Sequence, residues 1–300
     1  MRNGRWRWFI LSAVATGLAL GVRILSAEVW LLLGAAYLPI VWANRREKLK
    51  ALRPYKPFLI HIPLALLVFL ALWPWLWPDP LVRFSEHLAF GLNVSLGLRV
   101  LYAEQILRSG VTLPWYYTAV IFIFTTPVIV LLGGIIGGFM AAIRGLKQKN
   151  VAALILLMLF LVSLLRSSWP TIPQYDGARH MMDGIVAFMG LFGLGFQESW
   201  RWVCGKLSRP LPMYVSYLLI SLLFIPIIYI NVNLRPFQGI YYNALSGGTT
   251  AVFDSYPQGY WGSSFRLGTN WINDNIEPST LILSRVGGHL VKLYLDSELE

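Results

Sequence analysis

Blocks of apolar residues long enough to cross a membrane constrain this chain more than any other feature. Hydrophobic residues make up 56% of the 300 positions and charged residues 13%, whereas an ordinary soluble domain has about 25% charged residues. A helix needs ~20 apolar residues to cross a bilayer. We therefore expect an α-helical polytopic membrane protein with about seven transmembrane helices. The predicted spans are Trp8–Gly21, Val29–Ala43, Phe58–Trp77, Tyr116–Ile143, Val151–Leu165, Met181–Phe196 and Val215–Ile230.

Lysine and arginine orient these blocks. They cluster before the first block and again after the second, fourth and sixth blocks. Loops rich in basic residues are typically cytoplasmic, so the amino terminus is predicted inside and the carboxyl terminus outside. These loops account for much of the net charge of +11, which we attribute to topology and to contact with anionic headgroups of the lipid bilayer. A nucleic-acid partner is not expected, because that would need a soluble basic face with interleaved aromatic residues.

The same pattern divides the chain. Residues 1–230 form the predicted transmembrane domain, and residues 231–300 form a small α/β extracytoplasmic cap. In the cap we expect a helix over Phe265–Ile276, a strand over Thr280–Leu283 and a short element over His289–Leu295. The outer segment 78–114 has apolar residues at helical spacing, which predicts one or two amphipathic helices in the headgroup layer. It is either a structural collar or a guide for a lipid substrate.

A polar hexad, Tyr175-Asp176-Gly177-Ala178-Arg179-His180, lies between two apolar blocks. Charged residues beside a bilayer are costly unless they pair, bind or catalyse. Two interpretations stay open. Asp176 and Arg179 could form a clamp that holds a loop, or Arg179 and His180 could donate hydrogen bonds to a phosphate at the membrane surface. Arginine suits the second role because its planar fork makes two parallel bonds to phosphate oxygens.

The residues give no sign of a metal or another cofactor. Cys204 is the single cysteine, so neither an internal disulfide nor a cysteine-based metal site is expected. The sequence also lacks a glycine-rich phosphate loop, a zinc signature and a serine-elbow motif.

Three ordered motifs resemble those of the protein O-mannosyltransferase-like glycosyltransferases. Leu113-Pro114-Trp115-Tyr116-Tyr117, which alone would suggest an interfacial aromatic belt, resembles their Pro-Trp-Tyr-Tyr stretch. The hexad resembles their Tyr-Asp-Gly-x-Arg-His outer loop. The run after their last span is similar to Phe237-Gln238, Tyr241-Tyr242-Asn243, Gly247-Gly248 and Tyr260-Trp261-Gly262. The resemblance extends from about Gly17 to Trp271 and is to the carboxyl-terminal portion of these enzymes.

The resemblance implies a C-type (GT-C) membrane glycosyltransferase fold and a bacterial inner membrane. Such enzymes are inverting, and several branches need no metal. They pass a sugar from a polyprenyl-phosphate carrier, the donor substrate, to an acceptor on the outer face. By this resemblance Arg179, His180 and Tyr175 would bind the donor phosphate. Residues expected to line the pocket or contact the acceptor are Trp115, Tyr116, Tyr117, Tyr242, Asn243, Tyr260 and Trp261.

The catalytic residue is left unassigned by the sequence. The family takes its base from an acidic pair in the first outer loop, but here that loop is Val22–Glu28, and Glu28 is its only acid. Asp176 and Glu104 are the remaining candidates. A general base must reach the acceptor hydroxyl directly or through one water, and the sequence does not give that distance.

Two functions from different classes therefore stay open. The first is a glycosyltransferase, either the whole enzyme or the part of it that binds the donor lipid. The second is a non-catalytic membrane subunit. Such a subunit would bind carrier lipid and pair with a second membrane chain that supplies the acidic loop. A secondary transporter fits less well, because transporters typically show internal repeats and buried charges at mid-membrane.

Overall fold

The computed structural model describes residues 4–22, 30–31, 34, 57–93, 97–148, 150–170, 172–206, 213–259, 262, 264–277, 280–284 and 287–296. Within these ranges the chain is mostly helical. The helices are α1 (Gly4–Val22), α2 (Phe58–Leu72), α3 (Pro80–Asn93), α4 (Tyr117–Thr125), α5 (Val128–Gln148), α6 (Val151–Ser167), α7 (Met182–Gly205), α8 (Met213–Asn233), α9 (Phe265–Asn275) and α10 (Gly288–Lys292). Strands β1 (Arg99–Tyr102) and β2 (Gln105–Arg108) form an antiparallel hairpin.

The predicted helical class is confirmed, and each predicted span that the structure describes contains a helix over most of its length. Two described helices are long and apolar enough to cross a membrane, namely Val128–Gln148 in α5 and Tyr214–Asn233 in α8. Helices α1, α2 and α6 include shorter apolar stretches. The third predicted span is shorter than expected, because α2 ends at Leu72 and Trp73 leaves the helical conformation. The second, Val29–Ala43, lies almost entirely outside the described residues.

Helix α8 is covered by protein less than α5 is, although its Phe224 contacts Phe192 of α7 and its Ile227 packs against the main core. Its segment Tyr214–Asn233 has a mean hydropathy of 2.2, and none of the most apolar part is buried. By contrast, 39% of the corresponding part of α5 is buried. An apolar helix that is hydrophobic on all sides needs either a protein core or lipid around it.

The prediction of one continuous span over Tyr116–Ile143 was wrong. Helix α4 ends at Thr125, and α5 begins at Val128. Pro127 lies at the break. Proline has no amide hydrogen and disfavours helical geometry in the residue before it, and Thr126 is accordingly extended, with φ −97° and ψ 131°.

The outer segment 78–114 also differs from its prediction. Helix α3 fills its first half, but the second half is the β1–β2 hairpin rather than another helix. In the carboxyl-terminal cap, α9 agrees with the helix expected over Phe265–Ile276. The strand expected over Thr280–Leu283 is wrong: this described segment is not hydrogen-bonded into a sheet. The sheet that the structure describes lies in the outer segment instead.

Glycines allow α5 and α7 to touch backbone to backbone. A Cβ atom added at Gly137 would overlap the carbonyl of Leu191, and one added at Gly195 would overlap the carbonyl of Gly133. Small residues at such crossings let the two helix backbones approach closely and pack against each other. Phe188 of α7 then packs against Phe122, with ring centroids 5.0 Å apart. This contact ties α4 to α5 and α7 and forms the main core.

Substitution of Gly195 by alanine is expected to separate α5 from α7. The added methyl group cannot avoid the Gly133 carbonyl without a backbone shift, so we expect a loss of about 1–3 kcal/mol in stability. Thermal unfolding of the purified protein in detergent measures this loss as a lower Tm. Gly193→Ala is the matched control, because a Cβ at Gly193 in the same helix meets no atom within 4 Å. Equal Tm values for the two variants would contradict the packing.

Candidate functional site

A cavity of about 370 Å³ lies where the loop after α6 meets the segment after α8. We call it the interloop cavity. Helices α4, α7 and α8 form its apolar wall, and the two connecting segments form its polar end. It is lined by Ile121, Thr125, Pro127, Asp176, Gly177, Ala178, Arg179, Met182, Ile185, Ile227, Ile230, Asn231, Leu234, Gln238, Gly239, Tyr241, Tyr242, Pro257 and Gly259. Two of the three sequence motifs, far apart in the chain, therefore share one cavity.

Asp176 and Arg179 form the charged part of the cavity wall. Arg179 Nη1 lies 3.1 Å from Asp176 Oδ2, so the clamp that the spacing suggested is present. The Arg179 guanidinium also stacks 4.7 Å from the ring centroid of Tyr175, and the His180 ring lies 4.6 Å from the same ring. Tyr175 and His180 do not line the cavity themselves. The pair thus presents one cation and one carboxylate to the same space.

The turn that presents Asp176 has an unusual backbone. Asp176 has φ 52° and Gly177 has φ 69°, both in the left-handed region. Aspartate is among the few non-glycine residues that tolerate this region, and glycine adopts it at no steric cost. The buried hydroxyl of Tyr117 accepts a hydrogen bond of 3.2 Å from the Gly177 amide. The first motif therefore holds the turn of the second.

Gln174 makes a further connection between these two motifs. Its side chain is buried, and its Oε1 accepts hydrogen bonds from the Thr118 amide at 3.2 Å and the Thr118 hydroxyl at 3.0 Å. Its Nε2 donates to the carbonyl of Trp115 at 3.2 Å. The rings of Trp115 and Tyr116 are exposed and do not line the cavity. The Pro-Trp-Tyr-Tyr stretch thus positions the hexad from outside the cavity.

An ion pair between α6 and α7 fixes the far end of the hexad. Arg166 Nη2 donates to both carboxylate oxygens of Asp183, at 3.0 and 3.1 Å, and to the carbonyl of His180 at 3.2 Å. Asp183 does not line the interloop cavity. A carboxylate held in this way is suited to fixing the loop rather than to accepting a substrate proton.

Asn243 holds the second segment against the broken end of α4. Its Nδ2 donates to the carbonyls of Ile123 and Thr126, both at 2.6 Å, and its backbone amide donates to the carbonyl of Phe124 at 2.7 Å. Its Oδ1 accepts from the amide of Leu245 at 2.9 Å. These bonds satisfy carbonyls that a helix end leaves without partners. The sequence predicted that Asn243 lines the pocket or contacts the acceptor. In the structure Asn243 is buried and is not among the residues that line the interloop cavity.

A cluster of tyrosines, packed mostly edge to face, lies beside the cavity. Tyr256, which the sequence did not single out, has its ring 5.5 Å from that of Tyr102 and 6.0 Å from that of Tyr242. Tyr102 in turn lies 5.6 Å from Tyr117. The Tyr242 hydroxyl donates to the carbonyl of Pro257 at 3.0 Å. An aromatic residue in a connecting segment carries no periodicity, so nothing in the sequence marked Tyr256.

Burial keeps these phenols neutral. It raises the pKa of Tyr102 to about 12, with smaller contributions from Tyr116 and Tyr256. Burial likewise raises the pKa of Tyr242, and the neighbouring Tyr117 and Tyr256 add to the effect. Because the folded state raises the pKa of Tyr102, its contribution to stability is complete below pH ~10 and is lost as the pH rises through about 12. Near neutral pH both phenols therefore keep their protons and do not act as bases.

Glu104, the other acid considered for catalysis, lies outside the interloop cavity. It occupies the turn of the β1–β2 hairpin with φ 65°. Its Oε1 accepts a hydrogen bond from the Ser255 hydroxyl at 3.5 Å. The predicted pocket residues Tyr260 and Trp261 lie outside the described residues. Among the described lining residues, Asp176 is therefore the acid that faces the cavity.

Sequence reasoning missed most of the cavity wall. Gln238 and Tyr241 belong to quoted motifs but were not singled out as site residues. Ile185, Ile227 and Ile230 lie within predicted spans, where one isoleucine cannot be distinguished from another.

In the part of the chain that the structure describes, no group of three or more histidine, cysteine, aspartate or glutamate residues could hold a metal ion. No protein-family model, curated protein or solved structure matches the chain.

Substitution of Asn243 by alanine is expected to destabilise the site. The change leaves two carbonyls at the end of α4 and the Leu245 amide without the side-chain partner, so we expect a loss of about 2 kcal/mol or more. Thermal unfolding in detergent measures it. Asn275→Ala is the control, because the exposed Asn275 side chain donates a comparable bond to Trp271 and its loss should cost at most about 0.5 kcal/mol. A Tm for Asn243→Ala equal to that of the control would show that these bonds do not hold the segment.

Proposed function

We propose that this chain is a membrane glycosyltransferase, or the carboxyl-terminal part of one, and that the interloop cavity holds the phosphate of a polyprenyl-phosphate sugar. The sugar passes to an acceptor on the outer face. One observation carries the proposal. The interloop cavity combines a paired arginine and carboxylate at one end with an apolar wall between α7 and α8 at the other. A polyprenyl phosphate has the same two parts.

A membrane location is part of the proposal. The high mean hydropathy of α8 and the absence of buried residues from its most apolar part support it, because water would be an unfavourable solvent for such a helix. We propose the seven-span arrangement, with the amino terminus cytoplasmic and the carboxyl terminus outside. By the family resemblance, the membrane is a bacterial inner membrane.

The polar end of the cavity suits a phosphate. The Arg179 fork provides paired N–H donors for phosphate oxygens, and stacking on Tyr175 orients that fork. Gln238 and Tyr241 add side chains that can donate hydrogen bonds from the other segment. His180, the other proposed phosphate ligand, packs on Tyr175 and would act by supporting that ring. The apolar wall, with Ile185 among its residues, offers a surface for the isoprenoid chain.

The transfer step requires a base near the same place. The acceptor oxygen forms a bond to the anomeric carbon while the bond from that carbon to the phosphate oxygen breaks. The polyprenyl phosphate leaves with the electron pair, and the acceptor's hydroxyl proton passes to a carboxylate. Asp176 is the candidate, because it faces the interloop cavity beside Arg179. When the carrier phosphate takes up the Arg179 donors, the Asp176 carboxylate becomes available to the acceptor hydroxyl.

Substitution of Arg179 by alanine is expected to weaken binding of the carrier. Loss of charge-assisted hydrogen bonds to phosphate should lower the affinity for undecaprenyl phosphate about 10- to 100-fold. Native mass spectrometry or a fluorescence titration in nanodiscs measures the affinity. Arg201→Ala is the control, because Arg201 pairs with Glu198 at the other end of α7. Unchanged affinity in Arg179→Ala would refute the phosphate site.

The second candidate function is a non-catalytic subunit that binds the carrier and pairs with another glycosyltransferase chain. The observation that favours it is the ion pair itself, which occupies the carboxylate of Asp176 in the structure. In this alternative the partner chain would supply the base, and the interloop cavity would still hold the carrier phosphate.

Asp176→Asn distinguishes the two functions. The amide keeps the shape of the carboxylate but cannot accept a proton. If Asp176 is the base, transfer from undecaprenyl-phosphate mannose should fall about 10²- to 10⁴-fold, while affinity for the carrier is retained. Radiolabel passed to acceptor in membrane vesicles measures the transfer. Transfer at the unchanged rate in Asp176→Asn would show that another group accepts the proton, as the subunit alternative requires.

A further inference from the structure

A second cavity, of about 860 Å³, lies within the carboxyl-terminal cap. We call it the cap cavity. It is a partly open cavity lined by α9, α10, the segment 282–284 and the stretch that follows α8. None of the residues that line the interloop cavity belongs to its lining. The volume is within the range of about 300–1,000 Å³ that is typical of small-molecule sites.

The chemistry of the cap cavity points to a neutral, apolar ligand. Its described lining carries no charged side chain, and most of its wall is apolar, with Phe237, Ile240, Phe265, Ile272 and Ile282 among the apolar residues. The neutral polar residues of the lining, apart from Gln258, are Thr249, Thr250, Ser264, Thr269 and Ser284. An ionised ligand buried there would lose its hydration without gaining a counter-charge. A hydrocarbon chain would exchange water for these walls at no such cost.

One polar group inside the cap cavity needs a partner. Gln258 lines the cavity, and its Nε2 atom is buried without a hydrogen-bond partner in the described part of the chain. A buried amide N–H without a partner is unfavourable. An ester carbonyl would satisfy it as an acceptor. The walls and this donor together match the beginning of an acyl chain.

The position of the cap cavity indicates where such a chain would come from. Phe237 and Ile240 follow α8 closely in the chain, so the cavity begins close to the end of this apolar helix. At its border Leu283 is 83% exposed and Phe253 is 67% exposed. If α8 crosses the bilayer, the cap cavity lies near the membrane surface with these exposed apolar side chains at its border.

We propose that the cap cavity binds the acyl chain of a neutral membrane lipid, with the ester carbonyl accepting a hydrogen bond from Gln258 Nε2. The bound lipid fastens the cap to the membrane surface. This inference uses the membrane location of α8 but neither the phosphate site nor the transfer reaction. The glycosyltransferase proposal can therefore fail without affecting it.

A glycine in α9 gives a position in the lining of the cap cavity where an added Cβ meets no other atom. Gly268 lines the cavity, and a Cβ added there meets no atom within 4 Å. Gly268→Leu therefore places a side chain in open space and also favours the helix. Gly193→Leu is the matched control, since Gly193 is likewise helical with no atom within 4 Å of an added Cβ, and it lies in α7, away from the cap cavity.

The experiment uses the full chain in phosphatidylcholine nanodiscs and a monoacylglycerol that carries a diazirine in its chain. After irradiation, mass spectrometry should locate the label on peptides spanning residues 264–292. We expect Gly268→Leu to reduce that labelling at least about ten-fold and Gly193→Leu to leave it within about two-fold. Absence of label from these peptides in the unsubstituted chain, or undiminished label in Gly268→Leu, would overturn the proposal.

Gln258→Leu tests the hydrogen bond separately, as a single substitution that is independent of the Gly268→Leu variant. Loss of one hydrogen bond should reduce labelling by the monoacylglycerol about three- to ten-fold. Labelling by a diazirine alkane of equal length, which has no carbonyl, should be unchanged. Equal effects on both probes would contradict the assigned role of Gln258. Competition by undecaprenyl phosphate at equimolar concentration would overturn the proposal by assigning the cap cavity to the isoprenoid carrier.

Discussion

The side chain of Asn243, bonded to the open end of α4, is the interaction on which the rest of the site depends. Pro127 interrupts what would otherwise be one long helix, and the break leaves backbone carbonyls without intrahelical partners. If the break lies within a membrane, as we propose, no water is available to satisfy them. Asn243 satisfies three of them, two through its amide and one through its backbone N–H. The segment after α8 is therefore bound to α4, which places Tyr241 and Tyr242 at the interloop cavity.

Helix α4 is also tied to the hexad at its other end. There the hydroxyl of Tyr117 accepts the Gly177 amide, and Gln174 bonds to Thr118. A helix of nine residues thus positions two connecting segments, one from each end. Phe122 in its middle packs against Phe188 of α7, so α4 is itself held by the glycine-lined crossing of α5 and α7. The interloop cavity lies between the hexad and the segment after α8, and helix α4 contacts both of them.

Hydropathy predicted most of the long apolar helices, because an α-helix satisfies its own backbone and its signal is therefore local. The Asp176–Arg179 ion pair of the hexad could likewise be predicted from the sequence, because the two charged residues are only three positions apart. The break at Pro127 was missed because the apolar pattern continues across it. The β1–β2 hairpin was missed because its turn, Ala103-Glu104, has left-handed geometry at both positions without the usual Asn-Gly signature.

The contacts that build the site were the least predictable part. Asn243 and Ile123 are 120 positions apart, and nothing local to either residue indicates the other. The sequence assigned Asn243 to the pocket because it lies in a motif, whereas its side chain is hydrogen-bonded to carbonyls at the end of α4. Motifs marked the right segments, but only the tertiary structure separates the residues that face the cavity from those that hold it in place.

The most direct test of the central claim is a cryo-electron microscopy structure of the full chain in nanodiscs with undecaprenyl phosphate. We predict density for the phosphate in the interloop cavity, within hydrogen-bonding distance of the Arg179 guanidinium, and density for the isoprenoid chain along α7 and α8. Phosphate density elsewhere, with the Arg179–Asp176 pair intact and the cavity empty, would contradict the account.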